Sequence, residues 1–464
     1  MVLSYKLKDF FMGKWYPVLV VLLVLLGHTT GLEFYFNIPN VLMFCLALWI
    51  CDSSRVAIIF ACTVVYQVSR QNSPGVPSFS NYYFDSFRLA IIIVLASLMV
   101  FSLVRFIIVN KLFLGLSMRK TPLLFALTLL SLAFILNGLF SPDWVIQDLV
   151  YGIVEAVCYF FIFIFFYTGF KKENTSELVK YFTYISALIA VLLILQVACL
   201  YISTEGLILD GAVIKEKILF GWGIWNTAGA SLTVLIPMCF LGVMNNKYPV
   251  LYFAVATLTL GAAVLTLSRN AILFGTFFYF VCLLICIFKG SNKKLLLIAA
   301  ICFVAIGAAF AALAWDKLVA LLSDVINRGF SDNGRFELWS AGIQNFLKAP
   351  IFGSGFFALA NDEFITTNFT PELAHQTFIE LLGAAGIVGL LCYVVYRAFT
   401  LVPFLKRPSF VKTMLLLSVF VLLAESLIDN FIFHFHHTFH YSITLAIAFR
   451  IYEGERKEPL TPEL

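Results

Sequence analysis

Apolar runs long enough to cross a lipid bilayer recur from residue 17 to residue 450 and constrain the fold more than any other feature. A hydrocarbon core about 30 Å thick is crossed by roughly 20 apolar residues in a helix, and a helix satisfies its own backbone hydrogen bonds in lipid. We therefore predict an all-α fold, a polytopic transmembrane helical bundle of about 12–14 spans. The predicted spans lie near residues 17–32, 38–51, 56–68, 89–108, 122–140, 149–170, 181–202, 223–244, 248–268, 271–288, 295–314, 376–396, 413–428 and 431–449.

The charged residues are too few for a water-soluble surface. Only 12% of the residues are charged and 61% are hydrophobic, which makes the lipid bilayer the first predicted partner. No stretch between the apolar runs is long enough for a separate soluble domain, so we expect a single transmembrane domain over residues 1–464. The net charge of +5 does not point to nucleic acid, because membrane proteins keep Lys and Arg on their cytoplasmic rim. All ten cysteines lie in or beside the apolar runs, which disfavours a disulfide framework.

The basic residues predict which side of the membrane each loop faces. When the spans alternate, 22 of the 31 Lys and Arg residues fall on one side and nine on the other. The positive-inside rule then places both termini in the cytoplasm, as expected for a multi-pass protein of the bacterial cytoplasmic (inner) membrane. The longest loop, residues 315–375, is predicted to be extracytoplasmic. The nine basic residues on that side are Arg70, Arg88, Lys215, Lys217, Arg269, Lys317, Arg328, Arg335 and Lys348.

Arg269 stands in a polar interruption of only a few residues between two apolar helices. Its guanidinium is therefore expected at or just below the outer membrane surface, a position that is costly unless an anion compensates the charge. The alternatives are an arginine that reaches lipid phosphate and one that pairs with a nearby aspartate.

The extracytoplasmic loop carries an amphipathic helix near residues 334–348, ended by Pro350. Asp332 or Asn333 can cap its start. Its apolar stripe can lie on the membrane surface or against the bundle; the stripe consists of Phe336, Trp339, Ile343, Phe346 and Leu347. Arg335 falls in the first turn, where a cation opposes the helix dipole but can bind an anionic ligand together with free backbone N–H groups. Arg328 can join it, or can be a solvated loop charge.

His375 lies where the loop enters the next apolar helix. It can be a functional imidazole or an interfacial side chain without a chemical role. Gln376 and Glu380 share one face of that helix, because four residues make about one turn. The glycines at 383, 386 and 389 favour close helix packing.

Four histidines, at positions 434, 436, 437 and 440, cluster at the outer end of the last span. Their spacing can place pairs of rings on one helical face, as a metal site requires. Hydrogen bonding to the preceding carboxylates of Glu425 and Asp429 is the favoured interpretation, so we predict no metal site.

Three segments follow one another along the chain: Ser268-Arg269-Asn270-Ala271, then Gly334-Arg335-Phe336-Glu337-Leu338-Trp339 with Lys348-Ala349-Pro350-Ile351-Phe352-Gly353-Ser354-Gly355, and His375-Gln376-Thr377-Phe378-Ile379-Glu380 with Gly386-Ile387-Val388-Gly389-Leu390. In this order and spacing they resemble the O-antigen ligase and O-antigen polymerase family of bacterial membrane glycosyltransferases, over roughly residues 220–400. An earlier segment, Trp225-Asn226-Thr227-Ala228, is similar to an Asn-containing segment of the family. Two departures are Gln376, where the family usually has Asn, and Asn270, where it often has Gly.

The resemblance implies transfer of a glycan from an undecaprenyl diphosphate carrier to an acceptor hydroxyl of a glycan or lipid-linked glycan. It implies inversion, with no metal, no other cofactor and no nucleotide sugar. Arginines suit a diphosphate because they form bidentate hydrogen bonds and stabilise charge on the leaving group, and a histidine can take the acceptor proton. We therefore predict that Arg269, Arg335 and His375 are catalytic. The predicted substrate-binding residues are Arg328, Asn226, Trp339, Gln376 and Glu380.

The sequence leaves three functions open. A polymerase of capsule, exopolysaccharide or O-antigen repeats is preferred, because such polysaccharides occur more widely than the outer membrane that an O-antigen ligase needs for its lipid A core acceptor. A lipid-linked oligosaccharide flippase or other transporter is the third possibility. It predicts ionisable residues deep within the spans, and Glu155 and Glu425 are the acidic candidates.

Overall fold

The fold is seen in a computed structural model of the chain. The residues that the structure describes are 2–68, 71–73, 76–77, 85–114, 116–118, 121–142, 145–203, 214–215, 217–218, 224–245, 247–290, 293–313, 315–328, 334–359, 374–431 and 435–457.

The predicted all-α class is confirmed. Two short strands, β1 (Gln71–Ser73) and β2 (Val76–Pro77), form an antiparallel ribbon, and two single 3-10 turns lie at Ser54–Val56 and Phe170–Lys172. The described helices are α1 (Val2–Met12), α2 (Trp15–Thr30), α3 (Glu33–Ile50), α4 (Ala57–Val68), α5 (Ser86–Val109), α6 (Pro122–Phe140), α7 (Ile146–Gly169), α8 (Thr175–Ser203), α9 (Trp225–Asn245), α10 (Pro249–Leu265), α11 (Arg269–Lys289), α12 (Lys293–Leu313), α13 (Trp315–Arg328), α14 (Arg335–Lys348), α15 (Thr377–Leu405), α16 (Phe410–Ser426) and α17 (Phe435–Lys457).

Each of the predicted spans coincides with one of these helices. Within the described ranges, seven helices are long and apolar enough to cross a membrane, or eight if the bent pair α1 and α2 counts as one span. Four more of the predicted spans contain apolar helical stretches of 10–17 residues, counted only over residues whose side chains are described.

The chain divides into two compact units. Unit 1 comprises Met1–Asn110, Ser176–Phe330 and Thr413–Val421, and unit 2 comprises Lys111–Thr175, Ser331–Lys412 and Leu422–Leu464. The single transmembrane domain over residues 1–464 stays a prediction, because a compact unit need not be a separately folding domain.

Polar contacts within each unit join loops that the alternating topology assigns to one side of the membrane. In unit 1, Lys8 Nζ lies 2.9 Å from a carboxylate oxygen of Asp52. In unit 2, Lys412 Nζ donates to Glu455 at 2.5 Å, and Arg450 donates to the carbonyl of Lys171 at 3.3 Å. All four basic residues belong to the set predicted to be cytoplasmic. The identity of that side stays a prediction.

Helix α15 is interrupted at Gly386, whose φ of 62° and ψ of −164° lie outside helical geometry. This combination is essentially restricted to glycine. An uninterrupted helix would pair the carbonyls of Gly383 and Ala384 with the N–H groups of Ile387 and Val388. The interruption removes both hydrogen bonds within a helix that is long and apolar enough to span the membrane.

The loop that follows α14, residues 350–355, replaces those partners. The carbonyl of Gly383 accepts from Ser354 N at 2.9 Å and that of Ala384 from Gly355 N at 3.1 Å. In return, Ile387 N donates to the carbonyl of Pro350 at 2.9 Å and Val388 N donates to that of Ile351 at 3.2 Å. Four exchanged backbone hydrogen bonds therefore hold this loop in the interruption of α15.

Close contact between small residues completes the packing of α14 against α15. A Cβ added to Gly383 would lie 2.8 Å from the carbonyl oxygen of Gly342, and one added to Gly342 would lie 2.7 Å from Ile379 Cγ2. The apolar stripe of α14 faces elsewhere, since Phe336, Ile343 and Leu347 are 64%, 47% and 70% exposed. These three residues of the stripe therefore do not pack against the bundle, and a position of the stripe at the membrane surface stays a prediction.

Replacing Gly386 by alanine is expected to destabilise the protein by about 2 kcal/mol or more. The added Cβ would meet the carbonyl oxygen of Ile351 at 2.4 Å and would force a non-glycine residue to a φ of 62°. The measurement is the thermal unfolding midpoint of the purified protein in detergent.

Gly454→Ala is the matched control, because an added Cβ at this helical glycine meets nothing within 4 Å. An unchanged midpoint for Gly386→Ala would contradict the inserted-loop geometry.

Candidate active site

His375 lies at the entrance to α15 with its side chain 41% exposed. Its φ of 53° is in the left-handed region, which non-glycine residues adopt only at a cost. Its Nδ1 atom is 2.7 Å from Asp429 Oδ1. A carboxylate that accepts from Nδ1–H leaves the lone pair on Nε2. This ring is therefore oriented to accept a proton at Nε2.

Asp429 follows the last turn of α16 and is 5% exposed. Its own N–H donates to the carbonyl of Glu425 at 2.9 Å. Besides His375, Oδ1 accepts from the backbone N–H of Asn430 at 3.0 Å. A buried carboxylate with several donors is held in one orientation, which makes Asp429 suited to position the imidazole.

Arg335, the first residue of α14, reaches the same carboxylate. Its Nη2 lies 3.9 Å from Asp429 Oδ2, and its Nη1 donates to the carbonyl of Ile428 at 2.6 Å. The guanidinium thus meets carbonyl and carboxylate oxygens just beyond the end of α16, which offsets its unfavourable position in the first turn of its own helix. Gly334, in the left-handed conformation, is the N-cap of α14. The predicted caps Asp332 and Asn333 lie outside the described residues.

The pKa of His375 is raised above the usual 6.5, chiefly because its charged form is stabilised by the hydrogen bond to Asp429. Burial of the ring and the positive charge of Arg335 oppose this effect and lower the pKa, while the negative charges of Asp429 and Glu380 raise it further. The net direction makes the imidazole a stronger base than a free histidine.

The backbone around His375 is held by polar side chains of α15 and by the segment after α16. Gln376 Oε1 caps α15 by accepting from Ile379 N at 2.6 Å, and Thr377 Oγ1 donates to the carbonyl of Ser426 at 2.8 Å. Glu380, only 3% exposed, accepts from the N–H of Ala374 at 2.7 Å. Its Oε2 is 3.4 Å from the side-chain N of Asn430.

The contacts of Gln376 and Glu380 are thus internal and fix the turn that carries His375. Their predicted contact with substrate stays a prediction. Trp339 also lies on α14, with its ring packed edge-to-face on Phe336. Its indole N–H is buried without a hydrogen-bond partner in the described structure, and its predicted substrate contact likewise stays open.

Arg269 and Asn226 lie together at one end of a helix group in unit 1. Arg269 is the first residue of α11, whose N-cap Ser268 accepts from Ala271 N at 3.5 Å. Gly229, three residues after Asn226 in α9, packs on this same turn, since an added Cβ would lie 2.6 Å from Ala271 Cβ. Arg328 ends α13 in the same unit, and its side chain lies outside the described residues.

The histidine cluster is described only in part, because His434 and the side chain of His436 lie outside the described residues. His437 and His440 are 3% and 8% exposed in α17, and the ring of His437 packs edge-to-face on Phe431. Among described side chains, no group of three or more His, Cys, Asp or Glu residues has the arrangement of a metal site.

The structure therefore brings Arg335 and His375 together and adds Asp429, which the sequence analysis considered only as a partner of the histidine cluster. Asp429 and His375 each adjoin a predicted span on the extracytoplasmic side. This shared position was a signal for their pairing, but the choice between His375 and the histidine cluster depends on how the helices pack.

The pKa of His375 should fall when Asp429 is replaced by asparagine, because the largest contribution that raises it is lost. Diethyl pyrocarbonate modifies neutral imidazole, so its rate at His375, followed by peptide mass spectrometry across pH, reports this pKa. We expect the modification rate of His375 to be half-maximal at a pH above 6.5 in the protein without substitutions. In Asp429→Asn we expect this midpoint at a lower pH.

Lys348→Ala is a suitable control, because this exposed cation lies at the far end of α14 from Arg335. If the modification rate of His375 had the same pH midpoint in Asp429→Asn as in the protein without substitutions, the His375–Asp429 contact would be contradicted.

Comparison with known proteins gives one family. Residues 253–394 match the family model described as O-antigen ligase, a range that runs from α10 into α15 and includes Arg269, Arg335 and His375. No curated protein matches the chain. Asp429 lies beyond the matched range. The match supports the resemblance to the O-antigen ligase and polymerase family over this part of the chain.

Proposed function

We propose that this chain is an inverting, metal-independent glycosyltransferase that moves a glycan from undecaprenyl diphosphate to an acceptor hydroxyl. The proposal is carried by the cluster of His375, Asp429 and Arg335. This cluster places an imidazole next to a guanidinium at the N-terminal end of α15. The family match supports a membrane enzyme of the O-antigen ligase or polymerase type.

His375 is the proposed general base. An acceptor hydroxyl is a weak nucleophile at neutral pH, and Nε2 can take its proton as the oxygen attacks the anomeric carbon. Asp429 accepts from Nδ1 at 2.7 Å and stabilises the imidazolium that forms. The new glycosidic bond forms on the face opposite the departing group, which inverts the anomeric configuration.

The carbon–oxygen bond to the carrier breaks in the same step, and the electron pair leaves with the diphosphate. Arg335 is the proposed cation that stabilises this growing negative charge, where electrostatic catalysis is most effective. Its guanidinium is held by Ile428 and Asp429, so little reorganisation is needed during the reaction. Arg269, on the first turn of α11, is proposed as a further cation that binds the donor.

The acceptor separates two versions of this function. A polymerase transfers the growing chain to another lipid-linked repeat, and a ligase transfers it to a lipid A core. We prefer the polymerase on the general ground that capsules and exopolysaccharides do not need an outer membrane. The surface polysaccharide of a deletion strain tests this preference, since single-repeat chains indicate a polymerase and polymer left on its lipid carrier indicates a ligase.

A lipid-linked oligosaccharide flippase is the second candidate, and Glu155 is the observation that favours it. This carboxylate is fully buried in α7, where Tyr151 of the same helix is its polar neighbour. Ionisable residues inside a membrane helix often mark a transport pathway. The glycosyltransferase is preferred because transport gives no role to an imidazole oriented by a carboxylate beside an arginine.

Alanine at His375 should lower the transfer rate of purified protein about 10²–10⁴-fold, because the base is lost. Alanine at Arg335 should lower it about 10²–10³-fold, because charge stabilisation is lost. The measurement is glycan transfer from a lipid-linked donor.

Lys348→Ala provides the matched control, since it removes a cation from the same helix away from the site, and its rate should match that of the unmodified protein. A chelator should change none of these rates. Full activity in either test variant would remove the assigned role.

The pH dependence of transfer should follow the protonation of His375. A base must be neutral, so the rate rises with pH through the raised pKa and is lost as the imidazole becomes protonated below it. Asp429→Asn should move this acidic limb to lower pH and reduce the plateau, because the ring is less basic and less well oriented. A pH–rate profile that is the same in both proteins would exclude the proposed pairing from catalysis.

A further inference from the structure

Lys215 is a buried cation that the proposed reaction has not used. It lies on a short helical turn, is only 8% exposed, and holds its Nζ 5.0 Å from the ring centre of Trp225. The face of an indole ring attracts an ammonium, and the attraction is stronger where water is removed. Lys217, two residues later, is exposed, so burial is particular to Lys215.

The same turn lies beside Arg269. Ile214 and Leu267 are 1% and 0% exposed and form one apolar cluster, against which Tyr201, Leu265 and Leu322 pack. Lys215 adjoins one member of this pair along the chain, and Arg269 lies two residues after the other. The two basic side chains therefore start from neighbouring backbone segments of unit 1.

Backbone geometry fixes the Arg269 side of this arrangement. Leu267 has a φ of 58°, in the left-handed region, and Thr266 Oγ1 donates to the carbonyl of Ala263 at 2.7 Å while accepting from Ser268 N at 3.4 Å. This rigid turn starts α11 at Arg269. The conformation of Leu267 is costly for a leucine, which indicates that the turn is held by its surroundings.

Trp225, whose ring contacts the ammonium of Lys215, is the first residue of α9. The second turn of α9 packs on the start of α11 through Gly229, as an added Cβ there would also lie 2.9 Å from Thr266 Oγ1. Two helices thus begin at this place, and helix starts carry partial positive charge. Lys215, Arg269 and the two helix starts therefore lie in one region of unit 1.

We propose that Lys215 and Arg269 together bind the diphosphate of the lipid-linked donor, with Lys215 as a substrate-binding residue. This inference rests on the proposed function for its ligand. Two cations and two helix starts suit a group with about two negative charges better than they suit a neutral sugar.

Binding of three lipids with the same short polyprenyl tail tests the proposal in detergent. The probes are polyprenyl diphosphate, polyprenyl monophosphate and neutral polyprenol. Lys215→Met should bind the diphosphate about tenfold more weakly, a loss of about 1.4 kcal/mol, with little change for polyprenol. Lys215→Arg should retain most of the affinity.

Lys217→Ala is the matched control, because it removes an equal charge from the same segment at an exposed position. The proposal is overturned if Lys215→Met binds the diphosphate as tightly as Lys217→Ala does. It is also overturned if Lys215→Met binds neutral polyprenol more weakly by the same factor as the diphosphate, since the loss would then not depend on the phosphate charge. Lys215→Gln, a polar variant of similar length, carries the same test if Lys215→Met does not fold.

The binding assay needs no glycan transfer, which separates this inference from the proposed function. A protein that binds the diphosphate through Lys215 but transfers no glycan would refute the glycosyltransferase and leave the lysine assignment in place. A protein that transfers glycan at the normal rate and affinity without Lys215 would refute only the lysine assignment.

Discussion

The interruption of α15 at Gly386 is the constraint on which the candidate active site depends. A backbone group without a partner in the membrane costs several kcal/mol, so a broken membrane helix needs substitute hydrogen bonds. Residues 350–355 supply four of them, and this loop directly follows α14. The same interaction that satisfies α15 therefore fixes one end of α14, while the contact of Gly342 with Gly383 fixes its middle. Neither helix can slide along the other without losing these contacts, which holds Arg335 and His375 in register.

The charges at the site follow from that register. Asp429, just beyond the end of α16, lies within reach of both His375 and Arg335. A single carboxylate next to an imidazole and a guanidinium orients the ring and raises its pKa, while the guanidinium limits that rise. The result is a partly exposed imidazole beside a fixed guanidinium. This pair matches the needs of a reaction in which a hydroxyl loses its proton and a diphosphate leaves.

Much of this architecture can be predicted from the sequence, and the exceptions have physical causes. Apolar runs located the membrane helices because lipid requires them, and the resemblance selected Arg335 and His375. Gly386 was interpreted as a packing residue, since glycine spacing cannot distinguish close helix contact from a break in the helix. The contact of Asp429 with His375 was not predicted, because the sequence does not show which helix ends meet. Gly334, rather than an acidic or amide side chain, begins α14, and its left-handed φ of 78° explains why glycine stands there.

The central claim is that this chain forms a glycosidic bond as it breaks the bond between a glycan and its lipid diphosphate carrier, with His375 as the base. The most direct measurement reconstitutes the purified protein in proteoliposomes with a labelled lipid-linked glycan and follows both the glycan and its carrier by mass spectrometry. Our account predicts longer or transferred glycan, an inverted anomeric linkage and one released polyprenyl diphosphate for each bond formed. Labelled lipid that crosses the bilayer with its glycan unchanged and its carrier still attached would contradict the account and favour a flippase.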